Sequence, residues 1–149
     1  MRQVNLDELT YQIFSGLRGW TVTVRRKVFA PIHKREAVDL HIAANSVCAK
    51  LRSWSFMDPS HSNESLPMEA VSARLSAALP AFPGAIGALW LSGDRDRERE
   101  AHAAAAVLLA DALAPLEVLS ATALFHFGMQ EVRFPQIDAP VHALQSRWP

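Results

Sequence analysis

Three groupings in this chain hold residue types that can do chemistry. Asp94, Glu98 and His102 are spaced i, i+4, i+8, which puts two carboxylates and an imidazole on one face of a helix and would supply half of a metal site. Asp58, His61 and Glu64 carry the right atoms for metal binding or proton transfer, but they sit in a Ser- and Pro-rich stretch that leaves their geometry open. Cys48 is the sole cysteine, and His41 lies seven residues before it, two turns away on the same helix, too far for a thiolate–imidazole pair.

Each grouping has a plainer explanation. Acids in the first turns of a helix follow from its dipole, and Asp94, Asp96, Glu98 and Glu100 alternate with Arg95, Arg97 and Arg99 as a solvated, self-compensating face. A ferritin-type centre needs Glu and His three apart on two helices, which is absent. Cys48, between Val47 and Ala49 in mid-helix, has the setting of a buried, inert thiol. His126, flanked by Phe125 and Phe127, reads as a core or boundary residue. Gly84, Gly87 and Gly93 match neither GxGxxG nor GxxxxGK and make no phosphate loop. The expectation is therefore no catalytic residue, no metal and no cofactor.

Charge is the feature that stands out. Six cations, Arg18, Arg25, Arg26, Lys27, Lys34 and Arg35, fall between positions 9 and 35 with no acid among them. Residues 1–57 hold nine basic and four acidic side chains, net +5, and the remainder holds six and eleven, net −5, so a chain with no net charge is polarised along its length. These six cations with Trp20 form the expected partner-binding set. The main expectation is a non-catalytic interaction protein, an adaptor, inhibitor or regulator docking through a charged and aromatic surface. The partner would be an acidic protein or a second copy. Nucleic acid is the alternative, with Trp20 and Phe29 near enough to stack bases, although no helix-turn-helix, zinc-finger or RNP signature is present. A small enzyme whose site assembles only in the fold is the third possibility.

The elements that must position these residues follow from periodicity. With 149 residues, half of them apolar and a fifth charged, the chain is expected to form one globular domain, residues 1–149, without staples. Asn5 caps a first helix carrying Leu6, Leu9, Ile13, Phe14 and Leu17. Trp20, Val22 and Val24 alternate with Thr21 and Thr23, which predicts a short strand or extended arm near residues 20–28, with helix as the rival. From 33 to 54, Leu40, Ala44, Val47, Leu51 and Trp54 form a helical stripe beside Val38 and Ile42. Lys34 and Arg35 would then oppose the dipole in its first turn. Residues 55–66 read as a flexible loop, after which Ser65 is expected to cap a helix with Pro67 in its first turn.

The apolar run 85–91 fits either a buried strand or a helix start, and 94–114 reads as a long central helix. Leu116, Leu119, Ala123, Leu124 and Phe127 suggest a further helix, and residues 130–149 a surface tail. The fold class expected is all-α, bundle-like, with four to five helices and at most a small β element near residues 20–28; α/β is the alternative. No targeting segment is evident, the lone cysteine suits a reducing compartment, and the Ala-rich 101–129 stretch is too interrupted for a membrane span of about 20 apolar residues. Cytoplasmic is the expected localisation, with no membrane partner.

Overall fold

A computed structural model describes residues 2–61 and 64–121. Helix dominates: α1 (Leu6–Leu17), α2 (Val22–Val28), α3 (Ala37–Cys48), α4 (Met68–Ala78), α5 (Gly84–Trp90) and α6 (Arg95–Leu113), with single 3-10 turns at Ile32–Lys34 and Leu79–Ala81. A small antiparallel sheet completes it, formed by β1 (Arg2–Gln3), β2 (Trp54–Met57) and β3 (Glu117–Ser120) in the order β1-β3-β2. The expected mostly helical architecture is present, but its β element lies elsewhere than residues 20–28.

Helix α6 is the central beam. Its Ala101, Ala104, Ala105, Ala106, Leu109, Ala110 and Leu113 are buried, and it packs against α1, α4 and α5. Small alanines let those neighbours approach closely, which is why a helix apolar over most of its length sits in the middle. Asp94 caps it, its Oδ1 accepting from the amides of Asp96 and Arg97 at 3.0 and 3.1 Å. Helix α1 starts in a capping box: Asn5 Oδ1 accepts from the Glu8 amide at 2.8 Å, and the Glu8 carboxylate returns to the Asn5 amide and takes Arg2 Nη1 at 2.7 Å. Gly16 lies where α1 meets α3, and a Cβ there would stand 3.0 Å from the Val47 Cα, so its lack of a side chain lets the two backbones come this close.

Residues 22–28 are helical because Thr21 caps them, its Oγ1 accepting from the Val24 amide at 3.2 Å, and because Val24 and Val28 are one turn apart on the inward side. The apparent two-residue alternation is a coincidence of Val22, which is exposed. Helix α3 is shorter than the 33–54 pattern suggests. Lys34 and Arg35 belong to the preceding 3-10 turn and its cap, so α3 opens at Ala37 with Asp39 in its first turn, and the expected conflict with the dipole disappears. Its stripe is otherwise as the spacing indicates: Leu40, Ala44 and Val47 are buried, as is Leu51 just beyond, while Val38 and Ile42 face outward.

The sheet corrects two further expectations. Trp54–Met57 leaves the helical stripe and the supposed loop to pair with β3, Trp54 opposite Ser120 and Met57 opposite Glu117. Glu117–Ser120 is a strand where a helix after Pro115 was expected, because two open edges, Arg2–Gln3 and Trp54–Met57, offer pairing that outweighs a local helical pattern. A bridge between Met57 and Ser65 and the Leu66 amide on the Phe56 carbonyl at 2.7 Å bring pairing into both ends of the expected loop. Ser65 is thus a strand partner, and α4 begins after Pro67 without a side-chain cap. The 85–91 run resolves as α5, in which a Cβ on Gly87 would fall 2.6 Å from the Phe29 ring. The second half of the expected 116–127 helix, His126 and the 130–149 tail lie outside the described residues.

Candidate functional site: an arginine-lined cleft and an outward basic face

The basic run does not form one surface. Helical period divides it: Arg18 and Arg25 turn toward α5 and α6, while Arg26, Lys27 and Lys34 point outward. Arg25 Nη1 donates to the Trp90 carbonyl at 3.0 Å and lies 3.4 Å from Glu98 Oε1, so the basic and acidic halves of the chain do meet, through this pair. Lys27 Nζ is 3.5 Å from Asp39 Oδ1, which ties α2 to the first turn of α3. Arg35 Nε donates to the Ala30 carbonyl at 2.6 Å and its Nη1 reaches the Pro80 carbonyl at 3.4 Å, tying the end of the first 3-10 turn to the residues before it and to the Leu79–Ala81 turn. No ion pair or hydrogen bond is recorded for the Arg26 and Lys34 side chains among the described residues, and both are exposed.

Trp20, expected at the partner surface, is buried. Its Nε1 donates to the Ala43 carbonyl at 3.0 Å and to Ser46 Oγ at 2.9 Å, and its ring stacks on Trp90 with centroids 5.5 Å apart. Phe29 packs against Phe82 and Trp90. Both rings are committed to the core.

Around Trp90 the structure assembles a cleft of about 400 Å³ between α1, α2, α5 and α6. Three arginines line it, Arg18 from the end of α1, Arg25 from α2 and Arg99 from α6, together with Glu98 and His102. Beneath them runs an aromatic pile. His102 lies on Phe14 with centroids 3.9 Å apart and planes 10° apart, and on Trp90 at 5.3 Å and 17°. Arg18 stands over the Phe14 ring at 5.3 Å and Arg25 over Trp90 at 5.7 Å. Arg25 Nε is buried with no acceptor.

His102 is oriented by the backbone of α1. Its Nε2 is 2.8 Å from the Phe14 carbonyl, which can only accept, so Nε2 carries the proton. Burial holds its pKa below the ordinary value; the Phe14 carbonyl works in the opposite direction, and the charges of Arg18 and Arg25 add to the depression. Glu98 is turned to Arg25 and Asp94 to its cap. Among the described residues no cluster of three His, Cys, Asp or Glu could hold a metal ion.

In the 58–64 grouping Asp58 is the centre of a local network. Asp58 accepts from Ser60 Oγ at 2.6 Å and from the Ser60 amide at 3.0 Å, lies 3.2 Å from His61 Nδ1 and takes Arg74 Nη2 at 2.7 Å. The Ser60 hydroxyl, then its amide, then the charges of His61 and Arg74 hold the carboxyl below its usual range. Cys48 is buried, and desolvation raises its pKa against the opposing pull of Ser72 and Arg52, which leaves a thiol at neutral pH. A second concavity of about 420 Å³ lies between Val4, Leu6, Leu9, Leu113, Leu116 and Val118, without a titratable side chain in its lining.

Sequence reasoning missed Arg99 and the cleft role of His102, Trp90 and Glu98. The one available signal was the shared face of Glu98 and His102, which points at α1 and α2 and not at a metal. What fold and site define is a helical protein with a guanidinium-lined cleft and a separate basic face. No family model, no curated protein and no solved structure matches this chain. No described helix is long and apolar enough to cross a membrane.

Proposed function

We propose that this chain is a non-catalytic interaction protein that docks an acidic protein partner on the outer face of α2 and α3. The observation that carries it is an exposed apolar pair in a cationic frame. Val38 and Ile42, one turn apart on α3, are 57% and 54% exposed, and Ile32 in the preceding turn is 76% exposed. Arg26, Lys27, Lys34 and His33 are exposed alongside, and the Lys27–Asp39 pair sets the solvent side of α2 beside the start of α3. Apolar residues held outward near cations, of which Arg26 and Lys34 have no ion pair among the described residues, suit a partner that presents carboxylates around an apolar knob. Nucleic acid has less support, since the two aromatic rings near the cations, Trp20 and Phe29, are spent on internal packing.

The test compares co-purification at low salt by the wild-type chain, Arg26→Glu/Lys34→Glu and Ile42→Asp. The expected result is one acidic protein retained by the wild type, lost from both variants, and released from the purified complex as salt is raised. Binding of duplex or single-stranded nucleic acid, doubling of the chain's own mass in light scattering, or a retained protein indifferent to both variants would each overturn it.

A further inference from the structure

We infer that the cleft between Arg18, Arg25 and Arg99 binds a phosphate-type dianion, free or as the monoester of a small molecule. This goes beyond the docking face and uses none of its residues. Three arginines, Arg18 at the end of α1, Arg25 in α2 and Arg99 in α6, line one concavity with a single carboxylate residue, Glu98, among them. A protein that wanted only internal charge balance would pair Arg25 with Glu98 and stop. Here Arg18 and Arg99 stand in excess, so the lining carries two positive charges more than negative ones. A dianion offsets that excess.

The arrangement is also pre-set. Arg18 and Arg25 each lie over an aromatic ring, which restrains the guanidinium, and Arg18, exposed and with no acceptor of its own among the described residues, keeps its N–H groups available. Immobilising a flexible cation is a large part of the cost of binding an anion, and packing has already met it here. Arg25 is engaged through Nη1, and its buried Nε has no acceptor, so the protein leaves part of that donor set unused. Guanidinium forks match phosphate oxygens two at a time. The volume, about 400 Å³, exceeds a bare phosphate and falls within the range of small-molecule sites. The faces of Trp20, Trp90 and Phe14 are covered, so recognition would be of the anion and not by stacking.

The full chain is titrated with inorganic phosphate and with phenyl phosphate, following tryptophan fluorescence from Trp90 and Trp20 and the His102 imidazole by NMR. Saturable binding of either is expected; tighter binding of phenyl phosphate indicates a monoester site, and equal affinity a site for the free ion. Arg99→Gln and Arg18→Gln should each weaken binding about tenfold, as for loss of one charge-assisted hydrogen bond. Glu98→Gln should tighten it severalfold, a direction that a merely structural role would not give, and Arg26→Gln should leave it unchanged. Arg99 and Arg18 are exposed, and equal melting temperatures would confirm that their variants fold. Absence of saturable binding to both probes, or affinity unaltered in Arg99→Gln and Arg18→Gln, would overturn the inference.

Discussion

Arg25 and Arg26 are neighbours in the chain and belong to different parts of the molecule. Arg25 is drawn over Trp90, bonded to a backbone carbonyl and set against Glu98; Arg26 stands in solvent. The same division runs through the aromatic and aliphatic residues nearby. Trp20 and Trp90 are buried at the cleft floor, whereas Val38 and Ile42 are apolar and exposed on the outer face of α3. A run of like charge is thus not a surface. One step along a helix is enough to draw Arg25 into a packed site and leave its neighbour Arg26 in solvent.

The cleft floor and the outer face should therefore respond oppositely to truncation. Trp90→Ala removes a ring in contact with Trp20, Phe29 and His102 and should cost about 3–5 kcal/mol by chemical denaturation, enough to threaten folding. Ile42→Ala should change stability by no more than about 0.5 kcal/mol. Comparable losses from the two would mean that Ile42 is covered after all, and the distinction between the regions would fail.

The helices were legible where one cap and one stripe agree. Asn5 with Glu8, Asp94 with the Ala-rich run behind it, and Leu40, Ala44 and Val47 each state both a start and a buried face. The strands were not, because two-residue and four-residue segments carry too little alternation to declare themselves and are held by pairing with residues sixty or more positions away. Residues 20–28 misled for a related reason: Val22 and Val24 imitate a strand, and only the position of Val28 relative to the core shows which period applies. The cleft was half legible. The cations of its wall were evident in the sequence, but Arg99 hides in a charge-alternating stretch whose plain explanation, a solvated helix face, is correct for its neighbours.

Charge removal refines the comparison at a smaller scale. Arg25→Ala loses the bond to the Trp90 carbonyl, the Glu98 contact and the cover over the indole, and should destabilise by about 1–3 kcal/mol. Arg26→Ala should stay within about 0.5 kcal/mol. The pair is best measured at two salt concentrations. A cost at Arg25 that disappears entirely at high salt would reduce its role to Coulomb attraction, since the hydrogen bond and the ring contact persist under screening.

The smallest effect is a pH dependence confined to the cleft. Burial holds His102 below its ordinary value of 6.5, so the unfolded chain takes up a proton there before the folded one does. Stability from this group is then complete above about pH 6.5 and falls as pH drops toward the folded pKa. The cations around the imidazole, Arg18 from the end of α1, Arg25 from α2 and Arg99 from α6, act in one direction; Glu98 is the opposing charge and is turned to Arg25, and α5 contributes only the uncharged Trp90. Asp58, held below its ordinary 3.8, acts in a separate and more acid range, and nothing on the outer face is tied to either. Melting temperature measured between pH 7.5 and 5.5 should decline for the wild type and decline less for His102→Gln, which keeps an N–H for the Phe14 carbonyl and cannot titrate. Identical slopes would place the proton uptake elsewhere. A saturating anion in the cleft should flatten the wild-type slope, because a negative charge beside Arg18 and Arg25 lets the imidazole keep its proton in the folded state.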